Sequence, residues 1–378
     1  MLHSSAGLYG ADRQLALLAG GLDPDRYRAI VVVPEEGELT HVLRAAGIEV
    51  SVRPLAVLRR ELVSARGLSA LARAWAADAR ALARLIAERD VSLVHSNTSV
   101  VLGGAPAAAL ARVPHVWHVR EIYSGRARLW PLHRRLLAGA SAQLCVSEAT
   151  RRALGVPGAV VVPDGLAAAE PASVARRAAA RGELGLGDSE VAFLLAGRLS
   201  AWKGQDVLVR ALAEEPLGGV DAVALLAGES WRSVEGPRRA LEALAGSLGV
   251  AGRVRLLGFR EDVADLYAAS DVVVVPSTRP DPLPNAALEA AAFGCCVVAS
   301  ALGGLPEIIR DGVTGALVPA GDPAALAACL AEMAASPRVR ERLGRAAAED
   351  VRERFAAARL LEGVQGAYDA VLVGRGGG

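Results

Sequence analysis

The chain has 378 residues, enough for about two domains of ordinary size, and 52% of them are hydrophobic, much of that alanine. A net charge of +1 and an aromatic content of 4% argue against a general polyanion binder and against an aromatic stacking platform for nucleic acid. The charge is uneven: residues 1–170 carry 20 arginines against 15 acidic residues, and the remainder carries 22 basic against 26 acidic. No apolar run reaches 18 residues, so no membrane span is expected. The start Met1-Leu2-His3-Ser4-Ser5 lacks the basic and apolar regions of a signal peptide. Cys145, Cys295, Cys296 and Cys329 have no CxxC spacing, which suits a reducing cytoplasm and buried thiols. All six histidines precede residue 134 and none has zinc-ligand spacing, so no metal is expected.

In chain order, Gly7-Leu8-Tyr9-Gly10-Ala11-Asp12 opens a helix, Asp12 to Ala19. Only Met1 to Ser4 precede it, so the first strand of the series is very short or begins upstream. Strands are predicted at Ala29–Val33, Ile48–Val50, Val91–His95, Val116–Val119, Gln143–Val146 and Ala159–Val162. Helices alternate with them, at Leu39–Ala46 and as a long amphipathic stretch from Leu68 to Glu88. Ala167 to Gly187 has no strand signal and carries Pro171, Gly182, Gly185 and Gly187, which marks a domain junction. A second series follows: Val191–Ala196, Ala222–Ala227, Arg253–Leu257, Asp271–Val275, Cys296–Ala299 and Gly315–Val318. Nearly continuous apolar strands alternating with helices predict an α/β fold of two doubly wound, Rossmann-like domains, residues 1–170 and 171–350, facing each other across a cleft. Ligands of such folds bind outside the carboxyl ends of the strands.

Four loops there carry chemistry. The first is Gly7 to Asp12, where glycines allow close backbone approach and the helix start favours an anion, although GxGxxG is absent. The second is Gly197 to Gly204. Of 42 basic residues 41 are arginine, and the single lysine, Lys203, lies here five residues after Arg198. A planar fork and a compact ammonium on one glycine-bounded loop suit a diphosphate. The third loop, Pro276 to Glu289, follows the strand Asp271–Val275. Its prolines stiffen it, Asn285 is placed to cap the helix Ala286–Phe293, and Leu283 to Ala286 form the helix start, whose N–H groups suit a phosphate. Asp281 and Glu289, one before the helix and one a turn inside it, suit recognition of sugar hydroxyls, since each carboxylate oxygen accepts hydrogen bonds. The fourth is Gly303-Gly304-Leu305-Pro306-Glu307, a second glycine-to-helix start. In the first half, His118 with Arg120, and Ser96 with Asn97 after His95, end strands and face the expected cleft.

Gly197-Arg198, Lys203-Gly204, Gly258-Phe259, Asp271, Pro276-Ser277, Asp281 with Glu289, and Gly303 to Glu307 together resemble the family 4 retaining glycosyltransferases of GT-B fold. The likeness covers nearly the whole chain and is densest between residues 191 and 320. It implies that the first domain binds an acceptor and the second a nucleotide-diphosphate sugar, without metal or other cofactor. Arg198 and Lys203 would then hold the diphosphate, Glu289 the ribose hydroxyls and Asp281 the transferred sugar. Gly197, Gly228 and Gly258-Phe259-Arg260 would line the donor site, with Gly10 approaching the phosphates from the first domain. His118 corresponds to a histidine near the transferred sugar, and Ser96, Asn97 and Arg120 lie on the acceptor side. A tail helix, Val351 to Val373 within residues 351–378, would cross back onto the first domain. Asp281 departs from the family pattern, which has Glu. It is one methylene, about 1.5 Å, shorter, and bears on the sugar accepted more than on activity.

The implied partners are a nucleotide-sugar donor and a glycan, lipid-linked or small-molecule acceptor, with no nucleic acid. The implied location is cytoplasmic. Arg59, Arg60, Arg66, Arg73, Arg80 and Arg84, with Arg126, Arg128, Arg134 and Arg135, give the first domain a basic surface that can attract anionic lipid at the inner membrane face, or form an ordinary solvated face. The competing readings are a sugar-nucleotide epimerase and a nucleotide-sugar-binding protein without turnover.

Overall fold

Runs that are apolar on both faces are satisfied only inside a sheet covered on both sides. The computed structural model describes residues 1–58, 65–123, 130–166, 170–230 and 235–374, with 65–72 as helix backbone, and it buries such runs throughout. The chain forms two compact units, Met1–Ala167 with Ala357–Gly378, and Ala168–Ala356.

In the first unit the elements are α1 (Gly10–Gly21), β1 (Ile30–Val33), α2 (Glu38–Ala45), β2 (Glu49–Val52), α3 (Ala65–Glu88), β3 (Val94–Ser96), α4 (Gly104–Ala111), β4 (His115–Val119), α5 (Trp130–Ala138), β5 (Ala142–Cys145), α6 (Glu148–Leu154) and β6 (Val160–Val161). Every strand pairing is parallel: β1 with β2, and β3-β4-β5-β6 in order. Of the first strand, very short or beginning upstream on the sequence reading, one bridging residue is present. Leu2 bridges both Val32 of β1 and Ser96 of β3, its N–H donating to the His95 carbonyl at 2.7 Å. Counting it, the order is β2-β1-Leu2-β3-β4-β5-β6.

The second unit contains α7 (Val174–Glu183), β7 (Val191–Ala196), α8 (Gln205–Ala211), β8 (Ala222–Ala227), α9 (Gly236–Ser247), β9 (Val254–Gly258), α10 (Val263–Ala269), β10 (Val272–Val275), α11 (Asn285–Ala292), β11 (Cys296–Ser300), α12 (Leu305–Ile308), β12 (Ala316–Val318), α13 (Pro323–Ala335) and α14 (Pro337–Arg354). Its parallel sheet runs β12-β11-β10-β7-β8-β9. The first strand, β7, thus lies between β8 and β10, and the connections leave it in opposite directions on its two sides. That is the switch point at which open α/β sheets hold their ligands. The strand ends differ from the sequence reading by a residue or two.

The tail departs from it more. The single helix expected from Val351 to Val373 is two, α14 and α15 (Ala357–Val373), because Phe355 leaves helical geometry (φ −119°, ψ 25°) and buries its ring. The Ala357 N–H then donates to the Leu166 carbonyl at 3.2 Å, and α15 belongs to the first unit. It presents Leu360, Val364 and Tyr368, spaced four apart on one face, to Leu18, Leu22, Val116, Leu144 and Val162. Leu360 is 1% exposed. Leu360→Ala should therefore cost about 2–5 kcal/mol of stability, read as a lower urea midpoint for the first unit.

Candidate functional site

At the switch point of the second unit, the loop leaving β7 and the loop leaving β10 are packed backbone to backbone. Gly204, at φ +80°, ends the first loop, and a Cβ there would lie 1.9 Å from the Pro276 carbonyl oxygen, so only glycine lets the two loops meet. The Thr278 N–H donates to the Trp202 carbonyl at 2.8 Å. This contact brings together two residues 78 positions apart: Lys203 Nζ lies 2.6 Å from Asp281 Oδ2, with the side chains 23% and 8% exposed. Lys203 Nζ also sits 4.5 Å from the Trp202 ring centroid. Arg198 projects from the same loop and is exposed, its carbonyl held by Gln205 Nε2 at 3.0 Å.

Asp281 is fixed from the far side by the loop after β11. The Gly304 N–H donates to the Asp281 carbonyl at 2.8 Å, and a Cβ on Gly303 would come within 2.4 Å of that oxygen. This corrects the sequence reading of Gly303-Gly304 as an anion-binding start: the Gly304 N–H is already bonded and the glycines serve close packing. Asn285 is corrected as well. The Pro284 carbonyl accepts from Ala287 at 3.0 Å and Leu288 at 3.3 Å, so Pro284 is the cap and Asn285 the first helical residue. Released from capping, Asn285 has a buried Oδ1 with no hydrogen-bond partner among the described residues. The same holds for the hydroxyls of Ser200, Ser277 and Ser300. These orphaned oxygens gather at the carboxyl ends of β7, β10 and β11.

Glu289 stands one turn into α11, half-buried, and accepts a hydrogen bond from Tyr267 Oη at 3.0 Å. Sequence reasoning missed Tyr267, whose one signal was a tyrosine in an aromatic-poor chain. On the other side of the switch point, the Gly228 N–H donates to the Gly258 carbonyl at 2.7 Å, and Phe259 is 45% exposed. Arg260, expected in the lining of the donor site, is paired with Asp262, Nε to Oδ1 at 2.7 Å.

The residues assigned to the first unit gather at the carboxyl edge of its sheet. Gly10 is the first residue of α1, and the anion-binding role of that helix start is weakened by its own Asp12, which accepts from the Tyr9 N–H at 2.9 Å and from Ser5 Oγ at 2.6 Å, and pairs with His3 Nε2 at 2.7 Å. Burial works to raise the Asp12 carboxyl, but these partners outweigh it and hold it below the usual range. Ser96 is turned to His115 Nε2 at 2.9 Å. Asn97 reaches His3 Nδ1 at 3.1 Å and accepts from Arg120 Nε at 3.3 Å. Arg120 is also paired with Asp164, while its Nη2 has no partner among the described residues. His118 is fully buried, 5.5 Å edge-on from His95, whose Nδ1 meets Tyr368 Oη at 2.7 Å. The Val162 backbone comes near the His118 ring, yet among the described residues neither ring nitrogen has a partner of hydrogen-bond geometry. Burial, then the Arg120 charge, keep that imidazole well below its usual range and therefore neutral. Of the arginine surface, Arg73, Arg80, Arg84, Arg134 and Arg135 are exposed, while Arg59, Arg60, Arg126, Arg128 and the side chain of Arg66 lie outside the described residues.

Residues 9–166 match the family model described as Glycosyltransferase Family 4, and residues 190–336 match Glycosyl transferases group 1. A D-inositol 3-phosphate glycosyltransferase of Streptomyces coelicolor is 41% identical over 180 residues, 46% of this chain and 39% of that protein. One from a Mycobacterium species is 44% identical over 148 residues, 39% of this chain and 33% of that protein. The chain thus spans well under half the length of the curated relatives it matches. Among solved structures, Anabaena HepE in complex with UDP aligns with a TM-score of 0.82 at 26% identity over 98% of both chains. The same protein with UDP-glucose gives 0.83 at 25% identity over 98% of this chain and 99% of that one. A sucrose-phosphate synthase from Thermosynechococcus elongatus shares the fold, with a TM-score of 0.78 at 22% identity over 99% of both.

The buried imidazoles set a testable pH dependence. Burial lowers His95, His115, His118 and His133, His115 to about 3. An unfolded chain protonates them from about pH 6.5 downward while the folded one does not, so stability present above that value is lost as pH falls, by up to about 1.4 kcal/mol per unit for each. Glu121 and Asp164, raised by burial, oppose the trend where they titrate. The second unit contains no histidine. Hydrogen exchange corrected for intrinsic rates should show protection falling between pH 6.5 and 5 in the first unit before the second.

Proposed function

The chain belongs to glycosyltransferase family 4 and has its GT-B fold, and from that premise we propose that it transfers a sugar from a nucleoside-diphosphate sugar to an acceptor hydroxyl, with retention and without a metal. The observation that carries this reading is the Lys203–Asp281 pair at the switch point, at 2.6 Å, with Arg198 on the same loop as the lysine and Glu289 on the helix that follows the aspartate. It joins a phosphate-binding cation to a hydroxyl-binding carboxylate, the two groups a nucleotide sugar needs side by side. UDP is the nucleotide this reading favours, supported by the UDP and UDP-glucose complexes of HepE.

In the reaction, the bond from the sugar C1 to the β-phosphate oxygen breaks and that oxygen keeps the electron pair. The acceptor oxygen bonds to C1 on the same face, and its proton passes to the leaving phosphate. Arg198 and Lys203 stabilise the charge that develops there, and no protein nucleophile is required. Asp281 orients the sugar through its hydroxyls and Glu289 the ribose. Neutral His118, expected near the transferred sugar, and Arg120, expected on the acceptor side, belong to the first unit. Among the described residues no helix is long and apolar enough to cross a membrane. The exposed arginines of α3 and α5 support peripheral contact with anionic lipid at a cytoplasmic face. Binding to anionic vesicles at low salt that disappears at high salt would support it.

Calorimetry with EDTA present should show UDP binding to the wild type, weakened about tenfold or more by Lys203→Ala. Unchanged binding in that variant would sink the diphosphate reading. Asp281→Asn should have a split effect. In the unloaded site Asp281 offsets the Lys203 charge and repels an incoming diphosphate, so UDP should bind about fivefold tighter to the variant. Sugar transfer should fall about 100-fold as the carboxylate acceptor for the sugar is lost. A variant that weakens UDP as Lys203→Ala does would show that Asp281 only positions the lysine. Donor kept without acceptor should retain its sugar configuration, which an epimerase would change.

A further inference from the structure

We propose that Tyr267 is a positioning residue for donor binding, holding the Glu289 carboxylate ready for the ribose; this rests on the assignment of Glu289 above. Tyr267 lies on α10, is 2% exposed, and its hydroxyl donates to Glu289 Oε2 at 3.0 Å. The ring is itself held. It packs against Phe293 with centroids 5.4 Å apart, and the Tyr267 carbonyl accepts from Ser270 Oγ at 3.0 Å and from Cys295 Sγ at 3.5 Å. A glutamate on a helix has three rotatable bonds, and fixing them opposes binding if it happens when the ligand arrives. The phenol fixes them beforehand. It engages one carboxylate oxygen, and a carboxylate has acceptor capacity for further hydrogen bonds. Two hydroxyls of a ribose are the donors such a group would meet. Phe293, beneath Tyr267, follows the carboxyl end of α11, so the helix that carries Glu289 also braces the ring that orients it.

The test separates the hydroxyl of Tyr267 from its ring. Calorimetry would compare UDP with 2′,3′-dideoxy-UDP on the wild type, Tyr267→Phe, Glu289→Gln and the double variant. Tyr267→Phe keeps the packing on Phe293 and should weaken UDP about threefold to tenfold while changing dideoxy-UDP less than twofold. The double variant should bind UDP no more weakly than Glu289→Gln alone. Equal losses on both nucleotides would show a packing role and overturn the proposal, as would losses that simply add in the double variant. If Tyr267→Phe binds UDP like the wild type beside a weakened Glu289→Gln, this proposal alone fails. If Glu289→Gln itself binds UDP normally, the ribose assignment fails and takes the proposal with it.

Discussion

Parallel strands cannot be joined by a tight turn, so each needs a crossover that returns to the same end of the sheet. In the second unit this constraint does the arranging. All connections leave at the carboxyl edge, and because β7 sits centrally, its loop and that of β10 start side by side. Everything chemical follows from that adjacency: Gly204 against Pro276, Lys203 against Asp281, and Gly303 against Asp281 from the β11 side. The first unit obeys the same rule, with Leu2 in the central place and the polar edge of β3 and β4 beside it.

The charged groups at the switch point of the second unit are paired. Lys203 faces a carboxylate, Glu289 accepts from a phenol, and Arg260 is paired with Asp262. A half-buried charge without a partner would be expensive to hold. Under the proposed function, donor binding is an exchange of partners rather than a capture by bare charge. In the second unit the buried side-chain groups left without partners among the described residues are neutral ones, the serine hydroxyls and the Asn285 carbonyl. Neutral groups tolerate waiting better, and they discriminate sharply between ligands that can and cannot bond to them.

Much of this was legible in the sequence because it is local. The four-valine run of β10 fixes a buried strand by itself, and the loops of the site announce themselves by composition: one lysine in an arginine chain, and prolines before a helix. What was not legible depends on remote partners. Leu2 counts as a strand only through Val32 and Ser96. The Gly304 N–H looks available until Asp281 folds onto it. Tyr267 reads as one apolar position of a helix until a residue 22 positions later comes within 3.0 Å of it. The break at Phe355 hides in a stretch where helix-forming residues continue on both sides.

That break has a consequence for synthesis. The first unit is discontinuous: α15 must pack on Leu18, Val116 and Val162 to complete its core, yet the whole second unit lies between them in the chain. As the chain emerges from a ribosome, all of Ala168–Ala356 precedes residues 357–373. The half that is made first is therefore the half that finishes last, and its Leu18–Val116–Val162 face stays uncovered for the time it takes to translate 189 further residues. An amino-terminal unit that waits for its last helix is exposed in the interval to chaperones, or to neighbours with the same unmet face.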